Sequence, residues 1–257
     1  KAVAVNPVDT IVRGPKDKVE TPARIIGYDA SGTVKAVGPD VALFQPGDDV
    51  YYAGDITRSG TNAQFHLVDE RIVGHKPKSL THAQAAALPL TTITAYEAFF
   101  DRLGIDRDGG DTGQSILIIG AGGGVGSIGI QLAKHAGLTV IATASRPETQ
   151  DWVRELGAHH VIDHHGDLAA QVEALGIGAP GFVFSTNQSD RHVKGIQALI
   201  APQGRFGLID DPEALDILGF KRKAASIHWE LMFTRSIFGT PDIAEQGKLL
   251  NEVAALI

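Results

Sequence analysis

Three glycines, Gly120, Gly123 and Gly126, carry the most specific chemistry in this chain. They lie within SILIIGAGGGVGSIGIQLAKHAGLTVIATASR, Ser115 to Arg146, which reads as strand, glycine turn, helix and second strand. One glycine permits positive φ, another lets backbone N–H groups approach a pyrophosphate, and the third lets the helix pack against the strand. The helix expected over Val125 to Lys134 offers unpaired N–H groups, those of Gly124 and Val125 among them, and the positive end of its dipole to an anion. A bare glycine triplet would say little. A complete strand–turn–helix–strand unit of about thirty residues specifies a dinucleotide site.

The end of the second strand, Thr139 to Thr143, bears on which dinucleotide. NAD sites place Asp or Glu about twenty residues past the glycines to accept from the ribose 2′-OH. Here that place reads Ala144, Ser145, Arg146. No carboxylate accepts there and none repels a 2′-phosphate, whereas Ser145 can donate and Arg146 can form charge-assisted pairs. NADP(H) is therefore expected, the plainer alternative for Arg146 being an ordinary solvated charge. Glu148, past Pro147, reads as the opening of the next helix. Thr186 and Asn187 follow the strand Phe182–Ser185, at the carboxyl end where such sheets bind ligands, and join the expected cofactor contacts.

The elements that must position these residues fall into two textures. Residues 1–88 are short β-like pieces punctuated by glycine and proline, VAVNPVDTIVRG, IIGYDASGTVKAVG, FQPGDDVYY and AQFHLVDERIVG, with no long helical pattern before Thr81. They predict a small, largely antiparallel β domain. A short helix over Thr81–Leu88, capped by Thr81, leads to a second helical stretch over Pro89–Leu103 that bridges the domains. Beyond it, strands are expected at Ser115–Ile119, Thr139–Thr143, His160–Ile162, Phe182–Ser185, Arg205–Ile209 and Ala225–His228. Helices are expected at Val125–Lys134, Thr149–Leu156, Leu168–Leu175, Arg191–Leu199 and Ile243–Ile257. The alternation predicts an α/β fold with a doubly wound parallel sheet over residues 89–257.

Composition narrows the function classes. The chain has 257 residues, 43% hydrophobic and 21% charged, as in ordinary globular proteins. Its net charge of −7 argues against a nucleic-acid partner or an acidic membrane surface. There are no cysteines, which excludes disulfides and thiolate zinc sites and fits a reducing, cytoplasmic compartment. No apolar run approaches the length of a membrane span. Lys1–Val5 reads as the inside of a strand and Leu256–Ile257 as the inside of a helix, so further chain is expected at both ends.

Further motifs run through nearly the whole sequence: AVNPVDT, GYDASGTVKAVGPDV, FQPGDDVYYAGD, KPKSL with AAALPLTTITAYEAF, GAGGGVGS, LGAHHVIDH and HWELMFTRS. In this order they resemble the medium-chain dehydrogenase/reductase superfamily, and within it the zinc-free quinone-oxidoreductase branch. The resemblance implies a GroES-like β domain (1–88) and a Rossmann domain (89–257) with a cleft between them, about forty more residues on either side, and a homodimer formed through the Rossmann domain. It implies a small quinone or α,β-unsaturated carbonyl as substrate. Zinc-dependent relatives hold their metal with cysteine, histidine and cysteine at positions that here read Asn6, Tyr28 and Leu90. That trio is no zinc donor set, because tetrahedral zinc needs thiolate, imidazole or carboxylate. Asp29 beside Tyr28 is one acid alone, and no metal is expected.

The resemblance also assigns roles. Thr94 matches the threonine that positions nicotinamide, and Asn6 and Tyr28 become candidate donors to a developing oxyanion, Asn6 also touching the cofactor. Each has a plainer use: Asn6 could cap a turn before Pro7, and Tyr28 could fill the space a metal would take. Asp9 is expected to bond local backbone amides. His159–His160 and His164–His165 invite a metal reading, but strand alternation sends adjacent side chains to opposite faces. His164 instead stands where relatives place a tyrosine beside the 2′-phosphate, unless it merely ends a strand. Two other functions stay open: a trans-2-enoyl thioester reductase, with Lys221, Arg222 and Lys223 as a basic mouth or a solvated turn, and a non-catalytic NADPH-binding protein similar to zeta-crystallins.

Overall fold

A computed structural model describes residues 1–14, 17 and 20–257. Two compact units emerge: residues 1–93 with 232–257, and residues 94–231.

The first unit opens with β1 (Ala2–Val3) and α1 (Pro7–Arg13). This short helix corrects the reading of VAVNPVDTIVRG as a β-like piece. Its sequence is a short cap rather than a long amphipathic run: Asn6 is the N-cap in extended backbone, Pro7 stands in the first turn, and Asp9 accepts from Asn6 N at 2.8 Å. Next come β2 (Ala30–Thr33), β3 (Asp49–Tyr52) and β4 (Gly74–His75). The sheet order is β1-β2-β3-β4, antiparallel throughout, with Ala30 opposite Tyr52 and Val50 opposite His75. Its core gathers Ala30, Val50, Tyr52 and Val73. Helix α2 (His82–Ala86) starts at Thr81 as expected, in a capping box with Gln84. Helix α3 (Pro89–Tyr96) runs on into a π-helical turn, Glu97–Arg102, and carries the chain from the first unit into the second.

The second unit alternates β5 (Ser115–Ile119), α4 (Gly124–His135), β6 (Thr139–Thr143), α5 (Pro147–Glu155), β7 (His160–Ile162), α6 (Leu168–Ala174), β8 (Phe182–Ser185), α7 (Ser189–Leu199), β9 (Arg205–Leu208) and β10 (Ser226–Trp229). All six strands are parallel in the order β10-β9-β8-β5-β6-β7, with Leu117 opposite Ile141 and Val183. Every residue of β5 is buried, which is why it reads as an unbroken apolar run. The order reverses between β5 and β8, so the crevice at their carboxyl ends is the topological switch point.

The chain then returns through α8 (Thr234–Phe238) and α9 (Glu245–Leu256) to the first unit. The sequence expectation of a domain over residues 89–257, with its return to the small domain lying further on, differs from these compact units at both limits. An apolar helix face reads alike whichever sheet it covers, and α9 covers the small one. Tyr51 Oη donates to Leu250 O at 2.6 Å, His75 N donates to Asn251 Oδ1 at 2.8 Å, and a Cβ on Gly74 would lie 2.6 Å from that of Leu250.

Candidate active site

In the second unit the three glycines divide their labour as the spacing requires. Gly120 has φ +76°, and a Cβ there would lie 2.1 Å from Thr186 Oγ1. Gly123 is the exposed N-cap of α4, and its N–H donates to Gly120 O at 3.1 Å. Gly126 is buried, and a Cβ there would lie 2.6 Å from both Cα and O of Ala121. The first closing bond of α4 runs from Ser127 N to Gly123 O at 2.8 Å, so the N–H groups of Gly124 and Val125 have no partner within the helix. The turn is fixed on both sides: Gly120 N donates to Thr143 Oγ1 at 3.1 Å, and Thr186 Oγ1 donates to Ile119 O at 3.1 Å.

The remaining cofactor candidates stand at the same end of the sheet. Thr143 pairs with Ile162 in the β6–β7 register, so Ser145 and Arg146 leave one strand beside the strand that delivers His164. Arg146 is exposed and is the N-cap residue of α5, with Glu148 in that helix's first turn. Asn187 is exposed beside Thr186, whereas the following loop is braced: Ser189 donates from N to Asp210 Oδ2 at 2.8 Å and from Oγ to Ser185 Oγ at 2.8 Å. The His164 ring packs on His165 at 4.2 Å and edge-on to His192 at 6.4 Å. Sequence reasoning passed over His192, whose only signal was its place in the first turn of a helix opening at the sheet's carboxyl edge. Burial holds the His192 imidazole below its ordinary pKa, and His164 adds to the shift.

In the first unit the Asn6 side chain and the Leu90 backbone N–H meet at Asp29, the chain neighbour of Tyr28. Asp29 is fully buried; its Oδ2 accepts from Asn6 Nδ2 at 2.7 Å and its Oδ1 from Leu90 N at 2.8 Å. The acid that looked isolated in sequence is thus the node of the cluster. Burial pushes its carboxyl up to about 8, against the pull of those two donors. Asp9 is likewise buried: Oδ2 accepts from Asn6 N, as local bonding predicts, while Oδ1 has no hydrogen-bond partner. Tyr28 is buried, edge-on to Phe233 at 5.6 Å, with its hydroxyl 3.4 Å from Arg24 Nη2. Burial raises its hydroxyl pKa, so at neutral pH it stays protonated and able to donate. Thr94 is buried on α3, at the first residue of the second unit.

A nucleotide turn on a doubly wound sheet, joined in one chain to a small antiparallel unit with a buried polar cluster, defines a nicotinamide-dependent oxidoreductase. A model of the alcohol dehydrogenase GroES-like domain matches residues 1–90, and one of the zinc-binding dehydrogenase domain matches residues 124–252. The chain belongs to the medium-chain dehydrogenase/reductase superfamily. A zinc-type alcohol dehydrogenase-like protein of Staphylococcus aureus is 43% identical over 254 residues, 98% of this chain and 75% of that protein. The crystal structure of a Rhizobium etli protein, assigned as a zinc-dependent alcohol dehydrogenase, is 65% identical with TM-score 0.94, covering 99% of this chain and 74% of that one. Escherichia coli quinone oxidoreductase complexed with NADPH shares the fold at TM-score 0.80 and 22% identity, over 100% of this chain and 77% of that one.

The zinc in those names is not matched by the donors present. Leu90 offers no side-chain donor, Asn6 spends an amide hydrogen on Asp29, and both oxygens of Asp29 already accept hydrogen bonds. Among the described residues no group of three His, Asp or Glu side chains could hold a metal ion. Of the basic cluster, Lys223 Nζ donates to Ala198 O at 2.7 Å and Ile200 O at 2.6 Å, so it caps the end of α7.

Proposed function

We propose that this protein is an NADPH-dependent oxidoreductase that passes hydride to a quinone or α,β-unsaturated carbonyl without catalytic zinc. The observation that carries the reading is the Asp29 node, where a buried carboxyl ties together Asn6 and Leu90, two of the three positions that the resemblance gives to metal ligands in zinc-dependent relatives. Bound NADPH supplies the hydride. The chain's own residues hold it: N–H groups of Gly124 and Val125 face the pyrophosphate, Ser145 and Arg146 take the 2′-phosphate, and Thr94 orients the nicotinamide end. Hydride added to a conjugated acceptor sends negative charge onto its carbonyl oxygen. Neutral donors suffice there, because conjugation spreads the charge before any donor acts. Tyr28, kept protonated by burial, and the second amide hydrogen of Asn6 are the donors assigned to it.

NADPH oxidation measured against a panel of quinones, enones, saturated ketones and aldehydes tests this. Conjugated acceptors should turn over far faster, and a preference for saturated carbonyls would overturn the reading. Absence of turnover with every acceptor, with NADPH still bound, would favour a non-catalytic nucleotide-binding role.

A further inference from the structure

We propose that Asp29 is the positioning residue that fixes the direction of the Asn6 amide, and so decides which group Asn6 offers to the acceptor. The inference rests on the reading of Asn6 given under the proposed function. An asparagine amide has two nearly isosteric ends, one donating two hydrogens and one accepting, and packing alone hardly distinguishes them. A carboxyl oxygen that bears no proton can only accept, and in the neutral acid that burial favours one of the two oxygens still does so. Asp29 Oδ2, 2.7 Å from Asn6 Nδ2, therefore selects the orientation with nitrogen towards the carboxyl and takes one of its two hydrogens. The other hydrogen is left for a ligand. Without this contact the amide could present its oxygen instead, and an oxygen facing a developing oxyanion would repel it.

Asp29 can impose that choice because it is itself immobile. Its other carboxyl oxygen accepts from Leu90 N at 2.8 Å, at the start of α3, and its carbonyl accepts from Thr61 Oγ1 at 3.1 Å and from Ala4 N at 3.4 Å. Neighbouring Gly27, at φ +115°, has no room for a side chain, since a Cβ would lie 2.6 Å from Thr61 Oγ1. Asn6 is held at its backbone by Asp9 Oδ2, and the residue is only 8% exposed, so its amide has little room to move towards a ligand. Its orientation is set by the carboxyl behind it together with its capping-box place over the first turn of α1. Three segments distant in sequence, those of Asn6, Asp29 and Leu90, are tied by one side chain.

The test is a double-mutant cycle on the purified protein with NADPH and 1,4-naphthoquinone, using Asn6→Ala, Asp29→Asn and the pair. Asp29→Asn should lower kcat tenfold or more, with the KM for quinone and the Kd for NADPH within about twofold of wild type. The pair should be no slower than Asn6→Ala alone, because Asp29 acts through Asn6. Asp29→Glu, which keeps a carboxyl, should recover part of the loss, and Asp29→Ala takes the place of Asp29→Asn in the cycle if that variant fails to fold. Losses that multiply across the cycle, or a wild-type kcat in Asp29→Asn, would overturn the proposal. A wild-type protein that reduces neither quinones nor enones would instead overturn the proposed reaction. In that case the Asn6 side-chain amide protons, assigned by NMR through Asn6→Ala, still decide: a downfield, hydrogen-bonded proton that is lost in Asp29→Ala supports Asp29 as the orienting group, and an unmoved pair refutes it.

Discussion

Substituting Gly126 and Gly123 one at a time separates folding from nucleotide binding within a single turn. A Cβ on Gly126 would sit 2.6 Å from Cα and O of Ala121 and 2.7 Å from its carbonyl carbon. These distances are roughly 0.8 Å inside ordinary contact, and the obstacle is backbone that cannot rotate away. Overpacking costs about 1–3 kcal/mol, and against backbone that cannot yield it falls in the upper half of that range, about 2–3 kcal/mol. Alanine recovers about 1 kcal/mol of helix propensity, since Gly126 lies inside α4. The net loss is on the order of 1–2 kcal/mol, which lowers Tm by about 2–8 °C. Gly123 differs in each respect. Its φ of −79° and ψ of 176° suit any residue, and an added Cβ meets only Gly120 O at 3.4 Å. Gly123→Ala should leave Tm within about 1 °C while weakening NADPH binding tenfold or more, because the methyl stands where the pyrophosphate must approach the N–H groups. Differential scanning calorimetry without nucleotide, followed by fluorescence titration with NADPH, reads both effects. An unchanged Tm in Gly126→Ala, or equal losses of stability in the two variants, would refute this division of roles.

Arg146→Ala should weaken NADPH binding by about 1.5–3 kcal/mol and leave NADH binding unchanged, as titration of both cofactors would show; equal wild-type affinities for the two would remove the case for 2′-phosphate recognition. Elemental analysis of protein purified without added metal should find well under one zinc per chain, and chelators should leave NADPH-dependent quinone reduction intact. Stability should fall as pH rises. Burial pushes both Asp29 and Glu230 up to about 8, with Glu97 adding to the shift at Glu230 and Arg102, 2.8 Å from it, opposing. A carboxyl that holds its proton more tightly when folded contributes stability that is complete below its unfolded pKa and is lost as pH passes through its folded one. Tm should therefore drop by several degrees between about pH 5 and pH 9. Glu230→Gln should flatten that slope and raise Tm at the alkaline end, and a slope unchanged by it would show that Glu230 is already ionised at pH 5.

What the sequence disclosed was whatever chemistry repeats locally. β5 is legible because all five residues are buried, and β6, β7 and β8 match their expected ranges because each is a short apolar run between turns. The glycine turn is legible because backbone geometry alone demands those glycines at that spacing. Helix α1 was missed because its seven residues carry only an asparagine cap and a proline, cues that open a turn as readily as a helix. The return of residues 232–257 was missed because amphipathicity says that α9 is half buried without saying against what. The Asp29 node was hidden for a related reason. Its partners lie 23 and 61 residues away, so nothing near GYDASG distinguishes a lone acid from a saturated one. The buried pair Glu97 and Glu230 shows the same limit, one residue near the entry of the chain into the second unit and the other near its exit. Long-range polar contacts leave no periodic trace, yet a buried carboxyl must find donors or a proton. An acidic residue inside an otherwise apolar stretch, as Asp29 is before Ala30, is therefore the sequence signal to pursue: it marks a position where the fold has to bring distant donors together.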